Sequence, residues 1–213
     1  MSRVDWRDWH DDYDDPASSL SRRLRAVQAR VREALDDRPP GEIRVVSLCA
    51  GQGRDLLGVL VDHPRRQDVR ARLVELDPRN TAVAAAAAAA SHLENVDVVT
   101  ADASLTDHYL DLAPADLVLA CGIFGNITDA DVMRTIDHCA GLCREGGTVL
   151  WTRHRGAPDL VPSICERFAE RGFELRWLSD PDAGYGVGAH VSRGSPRPLA
   201  AGERMFTFVG RQS

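Results

Sequence analysis

The most constraining feature of this sequence is a regular alternation that begins after Asp36-Asp37-Arg38-Pro39-Pro40-Gly41 and continues to Thr152. Short apolar runs at Ile43 to Leu48, Ala71 to Leu76, Val96 to Thr100, Ala115 to Cys121 and Thr148 to Thr152 have the length and composition of buried strands. Between them lie stretches with helical character, at about Arg54 to Val61, Thr81 to His92 and Asp129 to Cys143, the last opened by the capping signal Thr128-x-x-Asp131. Parallel neighbours need a long crossover, usually a helix, so this rhythm predicts a doubly wound α/β fold with a mainly parallel sheet of the Rossmann-like kind. A further helix is expected from Asp159 to Arg171, followed by strands at Phe173 to Leu178 and Arg204 to Val209. The Gly- and Pro-rich stretch between those two strands has no helical stripe, so they are expected to close the seven-stranded sheet as a C-terminal antiparallel pair.

The segment before the double proline stands outside this rhythm. Leu20, Leu24, Val27, Val31 and Leu35 form one apolar stripe, with Asp15 placed to cap the helix and Pro16 at its first position. The chain is therefore expected to divide into an N-terminal helical appendage, residues 1 to 41, and a main domain, residues 42 to 213. Every basic residue is Arg, and the 26 of them are outnumbered by 32 acids, so the formal charge of −6 provides no general attraction for nucleic acid or an anionic membrane. No apolar run approaches a membrane span, and five cysteines among mostly apolar neighbours read as reduced thiols of a cytoplasmic protein. The expected partner is a small molecule.

The chemistry is expected at the strand ends. Val45-Val46-Ser47-Leu48-Cys49-Ala50-Gly51-Gln52-Gly53-Arg54-Asp55 is a strand entering a glycine turn and then a helix, which lets a ligand approach free backbone amides. At the end of the next strand stands Asp77, 24 residues beyond Gly53, where a carboxylate can accept both hydroxyls of a ribose.

In this order the motifs resemble those of class I S-adenosylmethionine-dependent methyltransferases, and the resemblance runs from about residue 43 to residue 210. That family's first motif usually has an acid, two spacer positions and three glycines; here Ser47 stands where the acid is common and Cys49 where the first glycine is common, while Gly51 and Gly53 are retained. The resemblance implies that Ala50, Gly51, Gln52 and Gly53 form the cofactor turn, and that Asp77 and Pro78 face the ribose. It places Asp102 near the adenine amine with Ala103 beside it, and Gly122 on the loop after the fourth strand. It implies S-adenosylmethionine as methyl donor and S-adenosylhomocysteine as product. Glu145-Gly146-Gly147-Thr148-Val149-Leu150 matches the turn and strand that follow in the family.

Related small-molecule enzymes fold an aromatic N-terminal helix over the cofactor, which makes Trp6, Trp9 and Tyr13 candidates for a lid, with Tyr13 on the cofactor. Trp9, Phe124 and Asn126 are candidates for contact with the methyl acceptor. A sulfonium methyl group is already activated, so the enzyme's main tasks are alignment and exclusion of water. A base is required only where the acceptor must lose a proton, and His154 and His10 are the candidates. The chain lacks the Asn/Asp-Pro-Pro-aromatic run of amino-methylating enzymes, and Gly122-Ile123 and Arg153-His154 stand where metal-dependent catechol enzymes carry carboxylates. A metal-free transfer to an O or N atom of a small molecule is the expectation. Two other readings are a nicotinamide-dependent oxidoreductase, whose third glycine would fall at Leu56, and a module that binds S-adenosylmethionine without turnover.

Overall fold

The computed structural model describes Asp15, residues 18–195 and residues 197–209. Their elements are α1 (Ser19–Asp36), β1 (Ile43–Leu48), α2 (Arg54–Leu60), β2 (Val69–Glu75), α3 (Pro78–Ala90), β3 (Val96–Thr100), β4 (Ala115–Ala120), α4 (Asp129–Leu142), β5 (Cys143–His154), α5 (Val161–Glu170), β6 (Phe173–Leu178) and β7 (Tyr185–Ser192). Seven strands form one sheet in the order β3-β2-β1-β4-β5-β7-β6. The pairs among β3, β2, β1, β4 and β5 are parallel, whereas β7 runs antiparallel to both β5 and β6.

Strand order reverses between β1 and β4, because β2 and β3 are added on one side of β1 and the later strands on the other. The loops leaving β1 and β4 therefore diverge at the carboxyl edge and open a crevice, the place where ligands bind in open α/β sheets. Alternation along the central strands feeds two cores. Val118 and Ala120 of β4 join α4 and α5 residues such as Val132, Ile136, Ile164 and Phe168. Leu117 and Leu119 point into the other core, with Leu56 and Leu60 of α2 and Ala84 of α3.

Helix α1 belongs to that second core. Val31 and Leu35 are fully buried there beside Ile43, Val187 and Ala189, so removing either side chain would forfeit roughly 2 kcal/mol or more. Its N-cap is Ser18, whose Oγ accepts the Ser21 amide at 2.9 Å. The cap thus falls three residues after the expected Asp15, because the serine hydroxyl reaches that amide directly; Pro16 lies outside the described residues. Helix α3 is capped by Asp77 and carries Pro78 at its start, and α4 is capped by Thr128 through the Asp131 amide.

The seventh strand differs from the sequence expectation. Tyr185–Ser192 fills the last gap in the sheet, and Arg204–Val209 is a strap that makes only isolated bridges, Leu105 to Arg204 and Ile127 to Phe208. The glycines that disguised β7 as a loop have a packing cause. Trp151 of β5 lies across the strand so closely that a Cβ at Gly188 would overlap its indole ring, and one at Gly186 would meet Val161 at 2.6 Å. Glycine in a strand interior here marks a neighbour's close approach rather than a turn.

Candidate active site

The turn after β1 is built on left-handed backbone. Cys49 adopts φ +50°, Gly51 +55° and Gly53 +71°. Cys49 occupies a position that suits glycine, at a local cost of roughly 1–2 kcal/mol, so the turn keeps its shape despite the substituted residue. The two glycines serve different ends. A Cβ at Gly53 would stand 2.8 Å from both Leu57 and Leu73, so this position holds α2 against β2, whereas a Cβ at Gly51 would meet nothing within 4 Å among the described residues. Gly51 lines open space at the carboxyl edge. Gly122, after β4 on the other side of the switch point, also faces open space, and its amide is fixed by the Thr152 hydroxyl at 2.8 Å. Gln52 is half-buried and accepts Arg54 Nε at 3.0 Å; Ala50 donates to the Val74 carbonyl at 3.0 Å.

Two carboxylates stand at the end of β2. Glu75 accepts the Gly51 amide through Oε2 at 3.0 Å and the Asp77 amide through Oε1 at 2.9 Å, joining the cofactor turn to the neighbouring strand end. Asp77 caps α3, accepting the Arg79 amide at 2.9 Å and Arg79 Nη2 at 2.6 Å. Arg79 is 78% exposed, and an ion pair with so open a partner contributes little to stability. Sequence reasoning passed over Glu75. The signal was its place as the one acid inside the Ala71 to Leu76 run, two residues before Asp77.

At the end of β3, Asp102 Oδ1 accepts the amide and hydroxyl of Ser104 at 3.0 and 2.7 Å, and Oδ2 accepts Arg204 Nη1 at 2.8 Å. Partial burial disfavours its ionisation, but these donors outweigh that effect and hold the carboxyl below its ordinary range. Ala103 is buried, and its carbonyl accepts the hydroxyl of the fully buried Tyr109 at 2.9 Å, which fixes the loop from beneath. Desolvation drives the Tyr109 phenol well above its usual pKa, so it stays a donor.

The loop after β4 bounds the other side of the crevice. Asn126 is half-buried, and its side-chain amide donates to the Gly122 carbonyl at 2.8 Å, bracing the turn. Phe124 is fully buried and stacked on Trp151 with ring centroids 6.1 Å apart, so the expected acceptor contact is instead a core side chain; its carbonyl accepts Arg153 Nη1. His154, exposed at the end of β5, accepts the Gly156 amide at Nδ1 at 3.1 Å, which leaves the proton of the neutral ring on Nε2. Cys121 shares a hydrogen bond with Asp55 at the start of α2; desolvation raises both groups, with Arg23 opposing it. Trp9, His10 and Tyr13 lie outside the described residues. Among the described residues no cluster of His, Cys, Asp and Glu is arranged to hold a metal ion, and no helix is long and apolar enough to cross a membrane.

The switch point, the two glycines and the strand-end carboxylates together form the candidate site at the carboxyl edge of the sheet. The model of the family described as "Putative methyltransferase" matches residues 19–166, and the chain belongs to this family. No curated protein sequence matches it. Among solved structures it is similar to 1,6-didemethyltoxoflavin-N1-methyltransferase of Burkholderia thailandensis, holding 1,6-didemethyltoxoflavin and S-adenosylhomocysteine, with TM-score 0.62, 18% identity and coverage of 88% of this chain and 84% of that one. It is also similar to a methyltransferase of Thiobacillus denitrificans in complex with S-adenosylhomocysteine (TM-score 0.58, 18% identity, 79% and 91% covered). An O-methyltransferase family protein of B. thailandensis gives TM-score 0.62 at 18% identity over 84% of this chain, which spans 57% of that protein's length.

Proposed function

We propose that the chain transfers the methyl group of S-adenosylmethionine to an oxygen or nitrogen atom of a small molecule, without a metal ion, by in-line displacement. The observation that carries this reading is the pair of glycines facing open space, Gly51 and Gly122, on either side of the strand-order switch point. A cofactor laid across the crevice would meet the Gly51 turn with Ala50 and Gln52, the ribose acids Glu75 and Asp77 beside Pro78, and Asp102 with Ala103 at the adenine end. The acids carry the right chemistry, since ionised carboxylates accept hydroxyl and amine donors and have none to give. When bound, the cofactor supplies an already activated methyl group, so the chain's own task is to fix directions and keep water out.

The acceptor side is assigned to the Gly122–Asn126 loop and the end of β5. His154 presents an N–H at Nε2 while neutral, so it serves to orient an acceptor by donating a hydrogen bond, and His10 is the candidate for removing a proton. Residues 1 to 14, with Trp9 and Tyr13, are assigned to the cover of the methyl donor. A small acceptor fits the negative formal charge and the small-molecule substrate of the toxoflavin enzyme. Reduced thiols, with all five cysteines unbridged, support a cytoplasmic setting.

The test is transfer of an isotopically labelled methyl group from S-adenosylmethionine to a panel of small hydroxylated and nitrogen heterocyclic compounds, with and without a chelator. Chelator-insensitive labelling of one class supports the proposal. Cofactor binding without labelling of any compound, protein or nucleic acid offered would favour a binding module instead.

A further inference from the structure

The strap that replaces the expected last strand, residues 202–209, is stitched to the carboxyl edge of the sheet at both ends. At its start Gly202 donates to Asp107 Oδ2 at 2.9 Å, Thr106 donates to the Glu203 carbonyl at 3.0 Å, and Met205 donates to the Ser104 carbonyl at 2.8 Å. Met205 and Phe206 then anchor it, both fully buried. At its far end Thr207 donates to Asp131 Oδ2 at 3.1 Å and Val209 donates to the Asn126 carbonyl at 2.9 Å. The strap thus ties the loop after β3 to the loop after β4, two walls of the crevice that no strand pairing joins.

Its one charged reach into the site is Arg204. Nη1 donates to Asp102 Oδ2 at 2.8 Å and to Ser104 Oγ at 2.6 Å, while Ser104 Oγ donates to Asp102 Oδ1 at 2.7 Å. The three side chains close a ring. An ionised carboxylate offers about four acceptor positions, and this ring together with the Ser104 amide fills three of them, leaving one on Oδ2. Asp102 and Arg204 are both nearly half-exposed, 41% and 48%, so the pair adds little to folding stability. What the ring does provide is direction: it fixes the plane of the carboxylate and keeps it charged.

We infer that Arg204 is a positioning residue of the adenine seat, orienting the Asp102 carboxylate so that its remaining acceptor position faces the exocyclic amine of the cofactor. This rests on the reading of Asp102 as the adenine-facing acid.

The experiment compares binding of S-adenosylhomocysteine with that of its 6-deamino analogue, in which hydrogen replaces the exocyclic amine. The wild-type chain is expected to prefer the amine by about tenfold or more, the scale of one hydrogen bond to a charged group. Arg204→Ala should lose most of that preference while keeping its thermal unfolding close to wild type, and Arg204→Lys should restore part of it. Equal weakening of both ligands in Arg204→Ala, or an unchanged preference, overturns the inference, since a strap that only supports the loop has no means of sensing the amine. Arg204→Gln gives the same comparison should the alanine variant fold poorly. Asp102→Asn separates the two levels. If wild type shows no preference, or Asp102→Asn retains it in full, the underlying reading of Asp102 fails. Loss in Asp102→Asn with retention in Arg204→Ala overturns the role of Arg204 alone.

Discussion

Glu75 and Gly51 meet across the ends of β2 and β1, the carboxylate accepting the glycine amide at 3.0 Å. The contact ties the left-handed turn after β1 to the end of β2, and the other Glu75 oxygen accepts the Asp77 amide at 2.9 Å. Glu75→Gln should therefore weaken binding of S-adenosylhomocysteine by about 1.5–3 kcal/mol, the worth of hydrogen bonds to a charged group. Asp77→Ala should also weaken it, and should in addition lower stability by about 1 kcal/mol through loss of the α3 cap. Titration calorimetry beside chemical denaturation checks both. Full affinity in a folded Glu75→Gln variant would remove Glu75 from the site.

Gly51→Ala and Gly53→Ala should fail in different ways. The added methyl at Gly51 projects into open space, so the unliganded protein should lose only the roughly 1–2 kcal/mol of a left-handed alanine while cofactor binding falls sharply. At Gly53 the methyl strikes Leu57 and Leu73, and overpacking adds roughly 1–3 kcal/mol to the same backbone cost. Denaturation midpoints of the unliganded variants, set against their cofactor affinities, distinguish the two patterns.

A core histidine gives the protein an acid-side stability loss. His190 is fully buried, accepts Trp151 Nε1 at Nδ1 at 3.1 Å and stacks on Phe168, and desolvation lowers its pKa from 6.5 to about 4. The unfolded chain thus binds this proton at higher pH than the folded one. The associated stability is fully present above pH 6.5 and drains away as pH falls toward 4, reaching a total of about 3 kcal/mol. His190→Gln, which can still accept the indole N–H, should flatten the pH dependence in that window. Equal slopes for both proteins from pH 7 to 4 would refute the assignment.

Gly188→Ala should be among the most damaging single changes outside the site. Its methyl overlaps the Trp151 indole, itself packed between Phe124 and Phe168, so the variant should lose about 1–3 kcal/mol or more and unfold at lower denaturant. A stability equal to wild type would mean that β7 is not held against Trp151 as described.

The same contact explains where the sequence misled. Six strands were legible because apolar runs and helical stripes are local patterns, and three of them, Ile43–Leu48, Val96–Thr100 and Phe173–Leu178, have the expected bounds. β7 was not legible, because Gly186 and Gly188 read as breakers until Trp151 is seen lying across them. Arg204–Val209 imitates a strand in composition, yet its partners are loops, and only tertiary structure supplies those. In the site, Gly51, Gly53 and Gly122 were readable from strand-to-turn transitions. Glu75 acts on an amide 24 residues away and Arg204 on a carboxylate 102 residues away, and no local pattern encodes such pairings. Phe124 was misassigned because a loop aromatic beside a glycine looks the same in sequence whether it faces ligand or core.

The most direct test of the central claim is a calorimetric titration of the purified chain with S-adenosylhomocysteine and, separately, with NAD. The crevice at the β1/β4 switch point predicts saturable binding of S-adenosylhomocysteine, weakened in Gly51→Ala, and no binding of NAD. Binding of NAD with none of S-adenosylhomocysteine would contradict the account.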